Sequence, residues 1–225
     1  MEALLPVHET AFFGRAAQLV AVKGTCFAFL ERGVQKHGSP LPRALLGAQC
    51  AKDPALLQFV CELASRAAAS KAPARQSLAL LTTVASSVLT RPGQPSAVTS
   101  QALLPATLAC IEGQTPDAVA SGMVCASMLS AASALAPDAT DALVNAVCTA
   151  AVARNGSSVA SAPLGQAAAA LSAILAGQAH HTPRGAQRAS GPCRPIEGVG
   201  AAALRISDPA LEALATQPSA VAAAF

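Results

Sequence analysis

Apolar side chains recur at helical spacing along most of this chain, from residue 8 to residue 177, without competing strand-like alternation. The clearest stripe lies in residues 55–71 and consists of Leu56, Leu57, Val60, Cys61, Ala64, Ala67 and Ala68. The polar residues of the same segment, Gln58, Glu62, Ser65 and Arg66, lie opposite. A helix with one apolar face needs a neighbour to cover it, so the pattern predicts packed amphipathic helices.

The composition favours helices that pack closely together. Hydrophobic residues make up 52% of the 225 residues, yet the chain has no Trp and no Tyr. The interior must therefore be filled mainly by Ala, Leu and Val, which suit close-packed helices better than a sheet needing aromatic and β-branched residues. An all-α fold is the prediction.

Helix-start signals give these helices a regular spacing. Asp53-Pro54, Thr115-Pro116-Asp117 and Pro137-Asp138 each place a capping side chain or a fixed φ at the first turn of a helix. Starts near residues 54, 97 and 138, with intervening starts near 74 and 116, put two helices in each unit of roughly 40 residues. This spacing is typical of HEAT repeats, so residues 1–177 are predicted to form an α-solenoid of antiparallel helix pairs, HEAT-like or armadillo-like.

Further apolar stripes identify the predicted core. The first two segments are expected to bury Phe12, Ala16, Leu19 and Val20, then Phe27, Leu30 and Val34. Later stripes are Leu78, Leu81, Ala85 and Val88; Leu104, Leu108 and Ile111; Val124, Met128, Ala131 and Leu135; Val144, Val147, Cys148 and Ala151; and Leu164, Ala168, Leu171 and Leu175. Phe59 also falls on a stripe, so aromatic side chains are expected in the interior.

The helical pattern ends near residue 177. Residues 178–207 are rich in Gly, Pro, Arg and Ser and are predicted to be a disordered linker. Residues 208–225 are predicted to form a short helix, begun by Asp208-Pro209, or a disordered tail. The ending SAVAAAF has no polar face of the kind that closes a repeat array, so we expect the array to be truncated.

Positive charge is concentrated in the first part of the chain. Residues 1–91 contain ten Lys or Arg against five Asp or Glu, whereas residues 92–183 contain Arg154 against four acidic residues. Such a bias predicts a surface for RNA or another acidic partner, although a solvated helix surface gives the same pattern. Because the aromatic residues are expected to be buried, RNA contact should depend on phosphates and shape. The candidate contacts are Arg15, Arg32, Lys36, Arg43 and Lys52.

The chain lacks the motifs of catalysis and metal binding. Its histidines, at 8, 37, 180 and 181, form no HExxH motif, and no GxSxG, GxGxxG or P-loop motif occurs. The seven cysteines show no CxxC spacing and lie mostly among apolar neighbours, which indicates small buried residues in a reducing compartment. We therefore expect no enzyme activity, cofactor, metal or small-molecule substrate.

Serine and glycine interrupt the long apolar stretch of residues 118–137, which makes it a poor membrane span, so we expect no membrane partner.

Two segments carry a resemblance to a known family. They are LLPVHETAFFGRAAQLV and QKHGSPLPRALLGAQCAKDPALLQFVCELA, within residues 4–64. The matching positions are Leu5-Pro6, His8-Glu9-Thr10, Phe13, Arg15, Gln18-Leu19, Gly38, Pro40-Leu41, Arg43, Cys50, Lys52-Asp53, Phe59 and Cys61. In order and spacing they resemble the amino-terminal region of the U3 small-nucleolar-RNA-associated protein 10 family.

The resemblance implies that the chain is a non-catalytic HEAT-repeat scaffold of the small-subunit processome. It also implies a location in the nucleus, within the nucleolus. The implied partners are other processome proteins and either pre-rRNA or the U3 small nucleolar ribonucleoprotein. The implied processes are pre-rRNA processing, maturation of 18S rRNA and support of rDNA transcription. Family members are far longer and usually have Tyr where Val7 stands, so this chain is expected to be a fragment. The alternative is a generic α-solenoid adaptor that binds proteins without an RNA role.

Overall fold

A computed structural model describes residues 1–72, 74–91, 97–154 and 162–181 of the chain. Every regular element in these ranges is helical, which confirms the predicted all-α fold. The chain divides into two compact units, Met1–Cys125 and Ala126–Phe225. The α-helices are α1 (Ala11–Ala17), α2 (Arg43–Cys50), α3 (Pro54–Ala69), α4 (Arg75–Leu89), α5 (Ala97–Ile111), α6 (Pro116–Ala132), α7 (Pro137–Arg154) and α8 (Ala162–His181).

The helices α3 to α7 begin within one residue of where the sequence signals place them. The starts predicted near residues 54, 97 and 116 match the first residues of α3, α5 and α6, and those near 74 and 138 differ by one residue. At α3 the Oδ1 of Asp53 accepts hydrogen bonds from the backbone N–H groups of Ala55 and Leu56, at 2.9 and 3.4 Å. This cap satisfies N–H groups that have no partner within the helix.

In the first unit, α2 and α3 each pack against the next helix and against the helix after that. The helix α3 packs against α4 and α5, and α2 packs against α4. Since α3 ends at Ala69 and α4 begins at Arg75, the connection is short and these neighbours run antiparallel. Contacts between alternate helices are the arrangement of stacked helix pairs, as the spacing of helix starts predicts.

Aliphatic stripes fill the interior of this stack. All seven residues of the stripe predicted in α3 are buried, and so are the four predicted in α4. Where α2 crosses α4, Gly47 lies so close to the side chain of Ser87 that a Cβ at residue 47 would collide with it. The core is therefore a close packing of aliphatic side chains with a small residue at a helix crossing.

The region before α3 is much less regular. We call residues 1–52 the amino-terminal region; besides α1 and α2 it contains 3₁₀ turns at Leu5–Val7 and Ala28–Leu30 and a π-helical segment at Glu31–Gln35. The turn at Gly38, where φ is +62°, passes so close to Gly14 of α1 that a Cβ on Gly14 would overlap the carbonyl oxygen of Gly38. Glycine at residue 14 lets helix and turn meet backbone to backbone.

In the second unit, α7 packs against α8. Near the end of α8, the Nε2 of Gln178 donates hydrogen bonds to the carbonyl oxygens of Ser130 and Ser133, each at 3.0 Å. Its Oε1 accepts from the N–H of Leu135 at 2.9 Å, so one buried side chain satisfies three backbone groups in the last turn of α6 and just after it. Because of these contacts, residues 178–181 are helical instead of forming the start of the linker. Residues 182–207 of the predicted linker and the predicted tail, 208–225, lie outside the described residues.

The predicted core face of α1 is wrong. Phe13 and Ala17 are buried, whereas Phe12 and Leu19 are 66% and 90% exposed. The helix is only seven residues long and contains Ala and Gly on several sides, so its sequence does not distinguish one face clearly. The irregular backbone that follows, and its contact with α1, decides which side faces inward.

The buried faces of α5, α6 and α8 also differ from the prediction, because these helices are apolar on most sides. Val124 of α6, a predicted core residue, is 51% exposed, and Ala131 is exposed as well. Leu104, Leu108, Ala168, Leu171 and Leu175 are half-buried, while the fully buried positions of α5 and α8 are Leu103, Ala106, Thr107, Cys110, Ile111, Ala167, Ala170, Ile174 and Gln178. The side chain of Leu164 lies outside the described part of the chain. In α7, by contrast, Val144, Val147, Cys148 and Ala151 are all buried as predicted.

Candidate basic surface of the amino-terminal region

The basic residues singled out in the sequence fall at separate places in the amino-terminal region. Arg15 is exposed in the last turn of α1, and Lys36 is exposed directly after the π-helical segment. The backbone of Arg32 lies within that segment, but its side chain is outside what the structure describes. Arg43 begins α2, and Lys52 follows its end.

Two glutamines hold the end of α1 against the π-helical segment. The Nε2 of Gln35 donates hydrogen bonds to the carbonyl oxygens of Ala17 and Val20, at 2.7 and 2.6 Å. The Nε2 of Gln18 donates in turn to the carbonyl oxygen of Gln35, at 2.9 Å. The structure therefore brings the element that carries Arg15 beside the one that leads to Lys36.

Arg43 and Lys52 do not belong to one cluster. They flank α2 at opposite ends, which separates their backbones by about 13 Å at the helical rise per residue. The Nε of Arg43 also lies 2.6 Å from Oε2 of Glu9, so part of its charge is neutralised by an exposed ion pair. Such surface pairs contribute at most about 1 kcal/mol, and Arg43 can exchange Glu9 for another anion at little cost.

An exposed aromatic side chain lies beside the first of these cations. Phe12 is exposed on α1 three residues before Arg15, which is the spacing of one helix face, and Leu19 is exposed in the turn just after the helix ends. The expectation that the aromatic residues are all inside is therefore wrong for Phe12. Phe27 is buried and packs edge-on against Phe59, with ring centroids 5.0 Å apart and planes at 89°. Sequence periodicity missed this mixed apolar and cationic face.

The residues around His8 are structural. The Nδ1 of His8 lies 3.0 Å from the carbonyl oxygen of Leu5, and the backbone oxygen of His8 accepts from the N–H of Leu41 at 2.8 Å. Burial lowers the pKa of His8, and its Nε2 is buried without a hydrogen-bond partner. Thr10 caps α1, because its Oγ1 accepts a hydrogen bond from the backbone N–H of Phe13 at 3.3 Å.

The cysteines in the described residues are free thiols. Cys50, Cys61, Cys110 and Cys125 are buried, and desolvation raises their pKa values to about 12, 12, 11 and 12. Desolvation also raises the pKa of the half-buried Cys26. Thiols held in this way are protonated at neutral pH and are poor nucleophiles. Within the described ranges, no three His, Cys, Asp or Glu side chains are grouped so that they could hold a metal ion.

Two grooves open on the first unit. The apolar groove, of about 500 Å³, lies between residues 29–34 and residues 39–45, and its lining includes Leu30, Val34, Pro40, Leu41, Pro42 and Leu45. A second, more polar groove of about 790 Å³ lies between α3 and α5 and is bordered by Glu2 and Arg66, which form an ion pair at 2.6 Å. Sequence reasoning identified neither groove, because each is built from segments whose contact only the fold creates.

Among the described helices, none combines the length and the apolar character that crossing a membrane requires.

Comparison with known proteins gives a short local match. No known family model matches the chain. A segment of 62 residues, 28% of the chain, is 39% identical to the uncharacterized protein At3g06530 of Arabidopsis thaliana. That segment corresponds to only 3% of the plant protein, which is far longer than this chain. The similarity covers too little of either protein to establish a family.

Proposed function

We propose that this chain is a non-catalytic scaffold of the small-subunit processome, associated with the U3 small nucleolar ribonucleoprotein. In this role it acts in pre-rRNA processing and maturation of 18S rRNA, and supports rDNA transcription, in the nucleolus. The observation that carries the proposal is that the segment resembling the U3 small-nucleolar-RNA-associated protein 10 family leads into stacked helix pairs while exposing Arg15, Lys36 and Lys52. Stacked pairs offer extended surfaces to several partners at once.

The chemistry of the described residues supports binding over catalysis. The buried thiols are protonated, and the buried His8 contacts a backbone carbonyl rather than a nucleophile. An arrangement of base, nucleophile and orienting group, as nucleophilic catalysis requires, is not formed by these residues. A function in binding other molecules at the protein surface therefore fits these residues better than catalysis.

Contact with pre-rRNA would use the basic surface of the amino-terminal region. Lysine and arginine side chains bind phosphates and release counterions, so this term weakens as salt rises. Phe12, exposed beside Arg15, adds an aromatic ring on which an unpaired base can stack. The sequence predicted that RNA contact depends on phosphates and shape. To these we add one stacking site, Phe12 on α1.

Affinity purification of the tagged chain from cells tests the proposal. We expect processome proteins and pre-rRNA or U3 RNA in the eluate and nucleolar localisation of the tagged chain. Arg15→Ala with Lys36→Ala should reduce RNA recovery, whereas Lys71→Ala with Arg75→Ala, an equal loss of exposed charge near the start of α4, should not. Failure to recover processome proteins and RNA with the unaltered chain would contradict the proposal.

A protein-binding adaptor without an RNA role is the second candidate, and the apolar groove favours it. Salt dependence separates the two. Affinity for an RNA oligonucleotide that falls more than tenfold between about 50 and 200 mM salt supports phosphate binding, whereas affinity that changes little indicates apolar docking.

A further inference from the structure

We infer that the apolar groove is a docking site for a short amphipathic peptide of a partner protein, with apolar side chains in the groove and acidic residues on its flanks. This inference stands apart from the processome role, since either candidate function can use such a site. The partner is defined by its chemistry alone. Its binding mode is that of an apolar anchor in a preformed groove.

The walls of the groove suit apolar anchors. Leu30, Val34 and Leu41 are buried beneath it, and Leu45 is 43% exposed along it. Among the lining residues whose side chains are described, only Ser39 is polar, so a polar small molecule would lose hydrogen bonds to water without replacing them. A volume of about 500 Å³ is enough for a few aliphatic side chains.

The groove is held in shape before any partner arrives. Pro40 and Pro42 fix two φ angles of one wall, and the N–H of Leu41 between them donates to the backbone oxygen of His8 at 2.8 Å. The opposite wall includes Gly33 and Val34 of the π-helical segment. The side chain of Gln35 holds this segment in place through hydrogen bonds to the carbonyl oxygens of Ala17 and Val20. A preformed groove costs a ligand little in ordering the protein.

The charge around the groove favours a peptide with acidic residues on either side of its apolar anchors. Lys36 is exposed at the end of the segment that supplies Gly33 and Val34, and Arg43 is exposed next to Pro42. Within residues 29–45 the sequence has three basic residues against Glu31, and Glu9 pairs with one of the three, Arg43, which leaves an excess of one positive charge. Acidic residues on either side of the apolar anchors would face this excess of positive charge, and basic ones would be repelled. We therefore favour an acidic peptide over RNA, because the groove itself offers apolar surface where phosphates need donors.

Fluorescence anisotropy with the full chain tests the inference. The probes are fluorescein-labelled peptides of about 12 residues with leucines at helical i, i+3 and i+4 spacing, flanked by Asp and Glu; the matched control peptide has Lys at those flanking positions. We expect the acidic peptide to bind at least about tenfold more tightly than the lysine peptide, and Lys36→Glu to weaken it by about threefold or more.

Variants of the groove complete the test. Leu45→Asp should weaken the acidic peptide by about tenfold or more, while Val124→Asp, at a similarly exposed site on α6, should leave the affinity unchanged within about twofold. If circular dichroism shows that Leu45→Asp unfolds the chain, Leu45→Ala replaces it, with an expected loss of about threefold.

Several results would overturn the inference. These are no saturable binding of the acidic peptide up to about 1 mM, equal affinity for both peptides, or no effect of the Leu45 variants. Binding of a uridine oligonucleotide that depends on Leu45 would assign the groove to RNA, and a Leu45-dependent dimer in sedimentation would assign it to a second copy. None of these results bears on recovery of processome components from cells, so the two proposals fail separately.

Discussion

The amino-terminal region and the helices α3 to α5 both bury leucines completely, but they satisfy their backbones by different means. In α3 to α5, hydrogen bonds within long helices pair the backbone groups, and aliphatic stripes supply the packing. In the amino-terminal region the helices are short, and side chains reach backbone groups instead, as Gln35 does at Ala17 and Val20. The comparison shows that irregular backbone is stable only where polar side chains supply hydrogen bonds to its backbone groups or where glycine allows close backbone contacts.

This difference has a consequence for function. Regular helices present predictable faces, whereas the irregular region creates the exposed face of α1 and the apolar groove. Both candidate interaction surfaces with positive charge therefore lie where the repeat pattern is weakest. Loops and irregular segments held on a rigid framework are the usual place for binding residues.

The largest effect is expected from the stripe of α3. Leu57→Ala removes a side chain that is almost completely buried against the neighbouring helices and should lower the free energy of unfolding by about 2–5 kcal/mol. Leu19→Ala, the same substitution at a leucine exposed just after α1, should change it by less than about 0.5 kcal/mol. Urea denaturation followed by circular dichroism measures both. Similar losses at the two sites would contradict the buried face assigned to α1.

A second variant tests the glycine contact of the amino-terminal region. Gly14→Ala adds a Cβ that overlaps the carbonyl oxygen of Gly38, so we expect a loss of about 1–3 kcal/mol despite the higher helix propensity of alanine. Gly33→Ala is the control, because a Cβ there meets nothing within 4 Å. It should be neutral or stabilising by up to about 1 kcal/mol. Equal effects would mean that α1 and the turn at Gly38 do not meet so closely.

The glutamine contacts between α1 and the π-helical segment should contribute less. Gln35→Ala leaves the carbonyl oxygens of Ala17 and Val20 without their donor, and we expect a loss of about 1–2 kcal/mol. Gln58→Ala removes only an exposed hydrogen bond to Glu62 within α3 and should cost less than about 0.5 kcal/mol. Amide hydrogen exchange should locate the Gln35→Ala effect in residues 11–36. Uniformly faster exchange across α3 would argue against a local role.

The smallest expected effect depends on pH. Because burial lowers the pKa of His8, the folded chain keeps this imidazole neutral at pH values where the unfolded chain, with an ordinary pKa near 6.5, takes up a proton. Stability from this residue is therefore fully present above about pH 6.5 and falls as the pH is lowered, by less than about 1.4 kcal/mol per pH unit. Urea titrations between pH 5 and about 8 should show that His8→Gln lacks this component. Parallel curves for the two proteins would exclude it.

How far the sequence predicts the buried faces depends on the contrast between the sides of each helix. In α3, polar Gln58 and Glu62 lie opposite the leucines, so the pattern identified the full buried set. In α6 and α8 small and apolar residues occupy most sides, and the prediction chose Val124 and Leu171 where Met123 and Ala170 are buried. The basic candidates whose side chains are described are exposed, but which of them lie near one another could not be predicted. The proximity of Arg15 and Lys36 depends on the contacts of Gln18 and Gln35, which join α1 to the π-helical segment.

By itself, the sequence determined the helical class, the starts of α3 to α7 within a residue, and the bias of positive charge toward the amino terminus, because these follow from local propensity, capping chemistry and composition. Only the tertiary structure decided which side of each uniformly apolar helix is buried, where Phe12 and Leu19 lie, and that residues 29–45 enclose a groove. Those features depend on contacts between segments distant along the chain. Local periodicity carries no information about such contacts when the faces of a helix are alike.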